Sequence, residues 1–194
     1  MKKFLSLVLA LVMTMSLVTV SAGAKDFSDD DSITYQEAVD VISEIGVVDG
    51  YTGGDFKPTD VLTRGAAAKI ICNLILGPTT ASALSASSAP FKDVPVSNTF
   101  AGYITYCAQE KIINGYPDGT FRPEATISRA EVTVIVNHML GRAADRPYVI
   151  AHEKELNTFG DVNRGHWGYF HIAEATNAHE YHTEDGTESW TGLS

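Results

Sequence analysis

The string GYPDGTFRPEATISRAE at residues 115–131 is preceded in the same chain by a weaker copy, GYTGGDFKPTDVLTRGA at residues 50–66. Aligned without a gap, Gly50 falls on Gly115, Tyr51 on Tyr116, Gly54 on Gly119, Phe56 on Phe121, Pro58 on Pro123 and Arg64 on Arg129. Agreement in glycine, aromatic, proline and basic residues together marks a repeat architecture. In such an array one supersecondary unit cannot bury its apolar face alone and needs its neighbours. The assembled set is therefore the expected unit of function.

Each copy sits between two helical patterns. In the first repeat Ala38, Val41, Ile42 and Ile45 recur at one-face spacing, Thr34 and Glu37 have the spacing of a capping box, and Gly46 offers a stop. A second helix is expected from Thr63 to Leu76, with Ala67, Ile70, Ile71, Leu74 and Ile75 as a wide apolar stripe and Gly77-Pro78 ending it. The second repeat restates this plan, with a first helix near residues 100–111 and a second opening at Ser128 that carries Val132, Ile135, Val136 and Met139 inward. A third unit begins at Phe159, where FGDV echoes the FKDV at Phe91 and HWGYFHIAEA reads as another first helix. Beyond Ala175 there is no loop of the GYPDGTF kind, so this unit is partial or divergent. The reading is an all-α chain of helix-loop-helix repeats, divided into repeat one at 25–77, a Ser/Ala-rich linker at 78–90, repeat two at 91–142, a connector at 143–158 and the partial repeat three at 159–194.

Residues 1–24 have the form of a secretory signal peptide: Lys2 and Lys3, an apolar run, then Ala22 and Ala24. With it removed, nothing later is apolar for long enough to span a bilayer. The formal net charge is −10 and becomes more negative without Lys2 and Lys3, which argues against a nucleic-acid partner. Only Cys72 and Cys107 are present, and two buried thiols or one disulfide both fit.

The motifs resemble the S-layer homology (SLH) family, whose pattern runs from F-x-DV through a WA-containing helix and a GYPDGTF-x-P loop to a TRAE helix start, normally three times over. FKDV at Phe91, the 115–131 string, and Phe100-Ala101 in place of WA carry the likeness in repeat two; repeat three keeps FGDV and His166-Trp167. The resemblance implies a pseudo-threefold bundle with ligand grooves between repeats. It also implies noncovalent attachment of an exported protein to a secondary cell-wall polysaccharide, often pyruvylated, in association with peptidoglycan. No cofactor or catalysis is implied.

Several residues then become candidates for ligand contact. Ser128 and Glu131 form a capping box, whose loss typically costs about 0.5–2 kcal/mol. Arg129 puts a cation in the first helical turn against the helix dipole, a penalty of roughly 0.3–1 kcal/mol that a bound carboxylate would offset. Pairing with an acid of a neighbouring repeat would offset it equally. Arg64 holds the matching place in repeat one. Trp167 could stack on a sugar ring or fill the core. Asp118 and Gly119 shape the loop, and Asp118 could also present an oxygen to a sugar hydroxyl.

Two rival readings remain. One is a structural surface-layer or adaptor role through self-association or partner docking. The other, weaker, is a metal-dependent hydrolase built on His166, His171, His179 and His182 with Glu174, Glu180 and Glu184, which lacks an HExxH arrangement.

Overall fold

The computed structural model describes residues 25–194, so the signal-peptide expectation for residues 1–24 lies outside the described residues. The chain divides into two compact units, one ending at Pro58 and the other beginning at Thr59.

In the first unit a 3₁₀ turn, Asp30–Ser32, leads into α1, Gln36–Glu44. Thr34 does not cap α1. Tyr35 occupies that place without a side-chain bond, while the Gln36 amide donates to Asp40 at 2.9 Å. The expected apolar stripe also turns outward: Val41 and Ile45 are more than half exposed, and Val39 and Ser43 are the buried positions of α1. The next loop closes on itself through Tyr51 N–H to Asp55 O at 2.8 Å and Gly54 N–H to Tyr51 O at 3.1 Å. Asp29 holds its far end by accepting from two consecutive amides, Phe56 and Lys57, each at 2.7 Å. That pair of bonds secures Lys57 at φ 59°, a left-handed conformation costing roughly 1–2 kcal/mol for a residue with a side chain.

The second unit contains α2 (Arg64–Leu76), α3 (Pro78–Ser82), α4 (Ala101–Gln109), α5 (Arg129–Met139), α6 (Arg146–Ala151) and α7 (Tyr169–Thr176). It ends in an antiparallel hairpin of β1 (His179–Glu184) and β2 (Thr187–Leu193). The chain is therefore not all-α. The tail turns where Asp185 and Gly186 both take positive φ, 50° and 75°, the backbone a two-residue hairpin turn requires.

Two cores support this unit. The larger joins Ala67, Ala68, Ile71 and Cys72 of α2 to Ile104 and Cys107 of α4, with Phe121 of the repeat-two loop fully buried beside them. The Cys72 and Cys107 sulfurs lie 3.6 Å apart as free, buried thiols. The stretch read as a linker contributes to this core: α3 forms within it, Ala81 is fully buried, and the backbone at Leu84 passes so close to α4 that a Cβ at Gly102 would sit 2.4 Å from the Leu84 oxygen. The smaller core gathers Val149 of α6, Leu156, Tyr169 and Ala173 of α7, and Trp190 of β2. The stretch read as a connector thus contributes a helix as well. Asp145 caps α6 through Tyr148 N–H at 3.0 Å and also accepts from Trp190 N–H at 3.1 Å, tying helix and hairpin to one carboxylate.

Candidate functional site

The repeat-two loop has the same backbone plan as its upstream copy. Tyr116 N–H donates to Thr120 O at 2.7 Å, Gly119 N–H to Tyr116 O at 2.9 Å, and Asp93 accepts from Phe121 N–H at 2.8 Å and Arg122 N–H at 2.7 Å. Arg122 takes φ 58°, matching Lys57. The paired rings Phe27–Phe56 and Phe91–Phe121 both have centroids 5.3 Å apart. The aligned glycines answer to the first ring of each pair: a Cβ at Gly50 would lie 2.5 Å from Phe27, and one at Gly115 2.3 Å from Phe91.

Arg64 fills the second loop. It is 3% exposed; its Nε donates to Phe121 O at 2.8 Å, one terminal nitrogen donates to Asn114 O at 2.9 Å, and the other pairs with Glu131. The guanidinium carbon lies 4.7 Å from the ring centroids of both Tyr116 and Phe121. Backbone bonds seat the same junction, with Arg64 N–H donating to Ala125 O at 2.9 Å, Gly65 N–H to Pro123 O at 2.8 Å and Ile127 N–H to Leu62 O at 2.9 Å. The start of α2 is thus plugged into the loop of the next repeat.

Glu131 serves two elements. Its carboxylate accepts from Ser128 N–H at 2.8 Å while Ser128 Oγ accepts from Glu131 N–H at 3.2 Å, completing the capping box of α5. The other oxygen takes Arg64 and the Tyr116 hydroxyl, the latter at 3.1 Å. Burial pushes the Glu131 carboxyl up, but the Ser128 amide and hydroxyl, then the Arg64 charge, outweigh it and leave it below the usual range.

Asp118 is committed to loop shape. It accepts from the Thr120 hydroxyl at 2.6 Å, the Thr120 amide at 3.0 Å and Arg122 at 2.8 Å, and these bonds, the Thr120 hydroxyl first, hold its carboxyl down at about 2. Gly119 takes φ 81° at the end of the same turn. Arg129 stands apart: it is exposed, and its guanidinium has no hydrogen bond or ion pair among the described residues.

Beside the Arg64 plug lies a cavity of about 520 Å³, within the common size range for small-ligand pockets. Its wall includes Arg64 at the start of α2, Asn114, Tyr116, Glu131 and His138 from the 115–131 loop region and α5, and Trp167 just ahead of α7. Trp167 is 62% exposed and stacks on His166, with centroids 5.5 Å apart. The structure therefore brings Arg64, Glu131 and Trp167 to one cavity and leaves Arg129, Ser128, Asp118 and Gly119 outside its lining. His138 and Asn114 were not anticipated. Their only signal in the sequence is position, since Asn114 precedes the loop and His138 lies one helical spacing beyond Val134 on α5.

A second polar cluster lies under the hairpin. His179 Nε2 is 3.6 Å from Glu174 and 3.2 Å from Glu188, a grouping of donors that could hold a metal ion. The same atoms converge on one nitrogen of Arg142, which is 2.8 Å from His179 Nε2, 2.8 Å from Glu174 and 3.0 Å from Glu188. That guanidinium supplies the positive charge at the centre of the cluster. His166 and His171 lie elsewhere, and His182 is exposed. Burial, then the Glu188 charge, raises the Glu174 carboxyl, whose second oxygen has no hydrogen-bond partner among the described residues.

The two copies that share this loop are also matched in sequence by known proteins. Residues 26–68 and 90–133 match the S-layer homology domain. The first matched segment runs past Pro58 into the start of α2. The chain is 37% identical over 123 residues to the Cellulosome-anchoring protein of Acetivibrio thermocellus, an alignment covering 63% of this chain and 26% of that protein. It is 33% identical over 129 residues to Cell surface glycoprotein 1 of the same organism, covering 66% and 6%. To the Surface layer protein of Brevibacillus choshinensis it is 26% identical over 170 residues, covering 84% and 15%. The chain thus spans about a quarter or less of each of these relatives.

Proposed function

We propose that this chain is an exported wall-binding module that holds a secondary cell-wall polysaccharide in the cavity between its SLH repeats. The carrying observation is the cavity itself: an apolar hollow between the start of α2, the 115–131 loop, α5 and the segment ahead of α7, with the exposed indole of Trp167 at its wall and the charged pair Arg64–Glu131 within it. An indole face offers a sugar ring a flat apolar surface together with an N–H donor. The Arg64–Glu131 pair and the Tyr116 hydroxyl beside it put polar groups on the cavity wall, against which an acidic substituent such as a pyruvyl ketal would be oriented. The SLH match and relatives with anchoring and surface-layer names support association with the cell wall or surface layer. The arrangement suits binding more than catalysis: the one carboxylate among the described lining residues, Glu131, is spent on both a helix cap and an ion pair. Among the described residues no helix is long and apolar enough to cross a membrane.

Sedimentation with purified sacculi tests this. The chain should pellet with untreated sacculi and remain in solution with sacculi stripped of secondary polymer, and Trp167→Ala should weaken retention by about tenfold, the equivalent of one lost stacking contact. Equal pelleting with both wall preparations would remove the polysaccharide from the account.

A further inference from the structure

The second SLH repeat has a plug with nothing to enter, and the first has a loop of the kind that receives one. By the repeat alignment Arg64, Ala67 and Ile71 of α2 correspond to Arg129, Val132 and Val136 of α5, which share one helix face at i, i+3 and i+7. The α2 set is 3%, 5% and 7% exposed, covered by the repeat-two loop and its core. Of the α5 set Val132 is 39% and Val136 43% exposed, and Arg129 is exposed with no side-chain partner among the described residues. The cause is in the third repeat: where a GYPDGTF loop would receive Arg129, the chain forms the β1–β2 hairpin. Asp161, the counterpart of the loop-holding Asp29 and Asp93, is exposed and makes no such bonds.

The receiving loop of repeat one is built to the same pattern as the occupied one, as the matched hydrogen bonds and ring pairs show. Its Tyr51 is 54% exposed, with the Lys57 ammonium 4.7 Å from its ring centroid as Arg122 lies over Tyr116, and the Asp49 carbonyl, counterpart of the Asn114 carbonyl that binds Arg64, accepts a cation, Lys25, whose place Arg129 would take. The charge complement is kept in a different place. Repeat two sets Glu131 against its plug and has neutral Asn114 in the loop; repeat one has Ala66 and carries the acid in the loop, as Asp49.

We propose that a second copy of this chain completes the array: the Arg129–Val132–Val136 face of one copy docks on the Asp49–Phe56 loop of another. The interface is heterologous, one surface meeting a different surface, so copies join head to tail. Arg129 then lies among the carbonyls and aromatic rings of the partner's loop as Arg64 does within its own chain.

Sedimentation velocity on the chain from Lys25 onward, at roughly 1–100 µM and without wall material, reads this directly. A dimer or larger species that dissociates on dilution is expected. Arg129→Glu, which disables the plug, and Tyr51→Ala, which disables the loop, should each weaken association at least about tenfold. Both positions are exposed, so circular dichroism should show helix content unchanged. Mixing the two variants leaves one intact plug and one intact loop, and must restore a heterodimer but nothing larger. A chain that is monomeric throughout, an association indifferent to both substitutions, or a mixture that fails to re-associate would overturn the proposal. Because no polysaccharide is present, the result stands apart from wall binding.

Discussion

Two arginines that the sequence makes equivalent have opposite surroundings, and the difference lies in the structure formed by the next repeat along the chain. Arg64 is buried because a complete loop comes after it; Arg129 is exposed because a hairpin does. Glu131 is the residue through which the first of these contacts becomes pH-dependent. Its folded-state carboxyl sits below its ordinary value of 4.5, so the stabilisation it contributes is present above that pH and is lost as the pH falls through the depressed value. Glu131→Gln keeps the shape and removes the charge from a buried guanidinium. Because the Glu131 side chain is 19% exposed, the expected cost at about pH 7 is roughly 2 kcal/mol, less than for a fully buried pair. Urea unfolding should show that deficit at about pH 7 and its shrinkage at about pH 3. A deficit of equal size at both pH values would assign Glu131 to packing alone.

At the level of elements, the capped starts are the features most tightly held by local chemistry. Asp145 tests this where one carboxylate serves both α6 and the hairpin: Asp145→Ala should cost about 1–2 kcal/mol and speed hydrogen exchange at the Trp190 amide. Unchanged exchange at Trp190 would show that the hairpin is held by its core contacts instead. The same distinction separates what the sequence disclosed from what it hid. The α2 and α5 starts at Thr63 and Ser128 and the shared register of the two loops were legible because short-range geometry dictates them, whereas the close approach of Gly50 to Phe27 and of Gly115 to Phe91 joins residues more than twenty apart and was not. The facing of α1 and α5 was not, since periodicity shows that a face is apolar without showing what covers it. The hairpin carried its own signal in Asp185-Gly186, a strong two-residue turn, but the expectation of a third helical repeat obscured it. Trp167 was anticipated for its chemistry; its meeting with Arg64 and His138 at one cavity depends on tertiary packing that no local pattern encodes.

At the scale of the molecule, the larger core of the second unit crosses from one loop-and-helix copy to the next. The larger core joins helices from two repeats, and its most enclosed atoms include the sulfurs of Cys72 and Cys107, one from each side of the α2–α4 seam. The thiols therefore act as an internal clock for separation of that seam. An alkylating reagent such as iodoacetamide reaches them only through the open form, so their labelling rate should be slower than that of a free cysteine by at least about a thousandfold under native conditions. Both sites should acquire the adduct with the same time course, because a single parting of the helices uncovers both. Intact-mass spectra taken during labelling would show this as a jump from unmodified to doubly modified chain, whereas a long-lived singly modified species would mean that the two sides open separately.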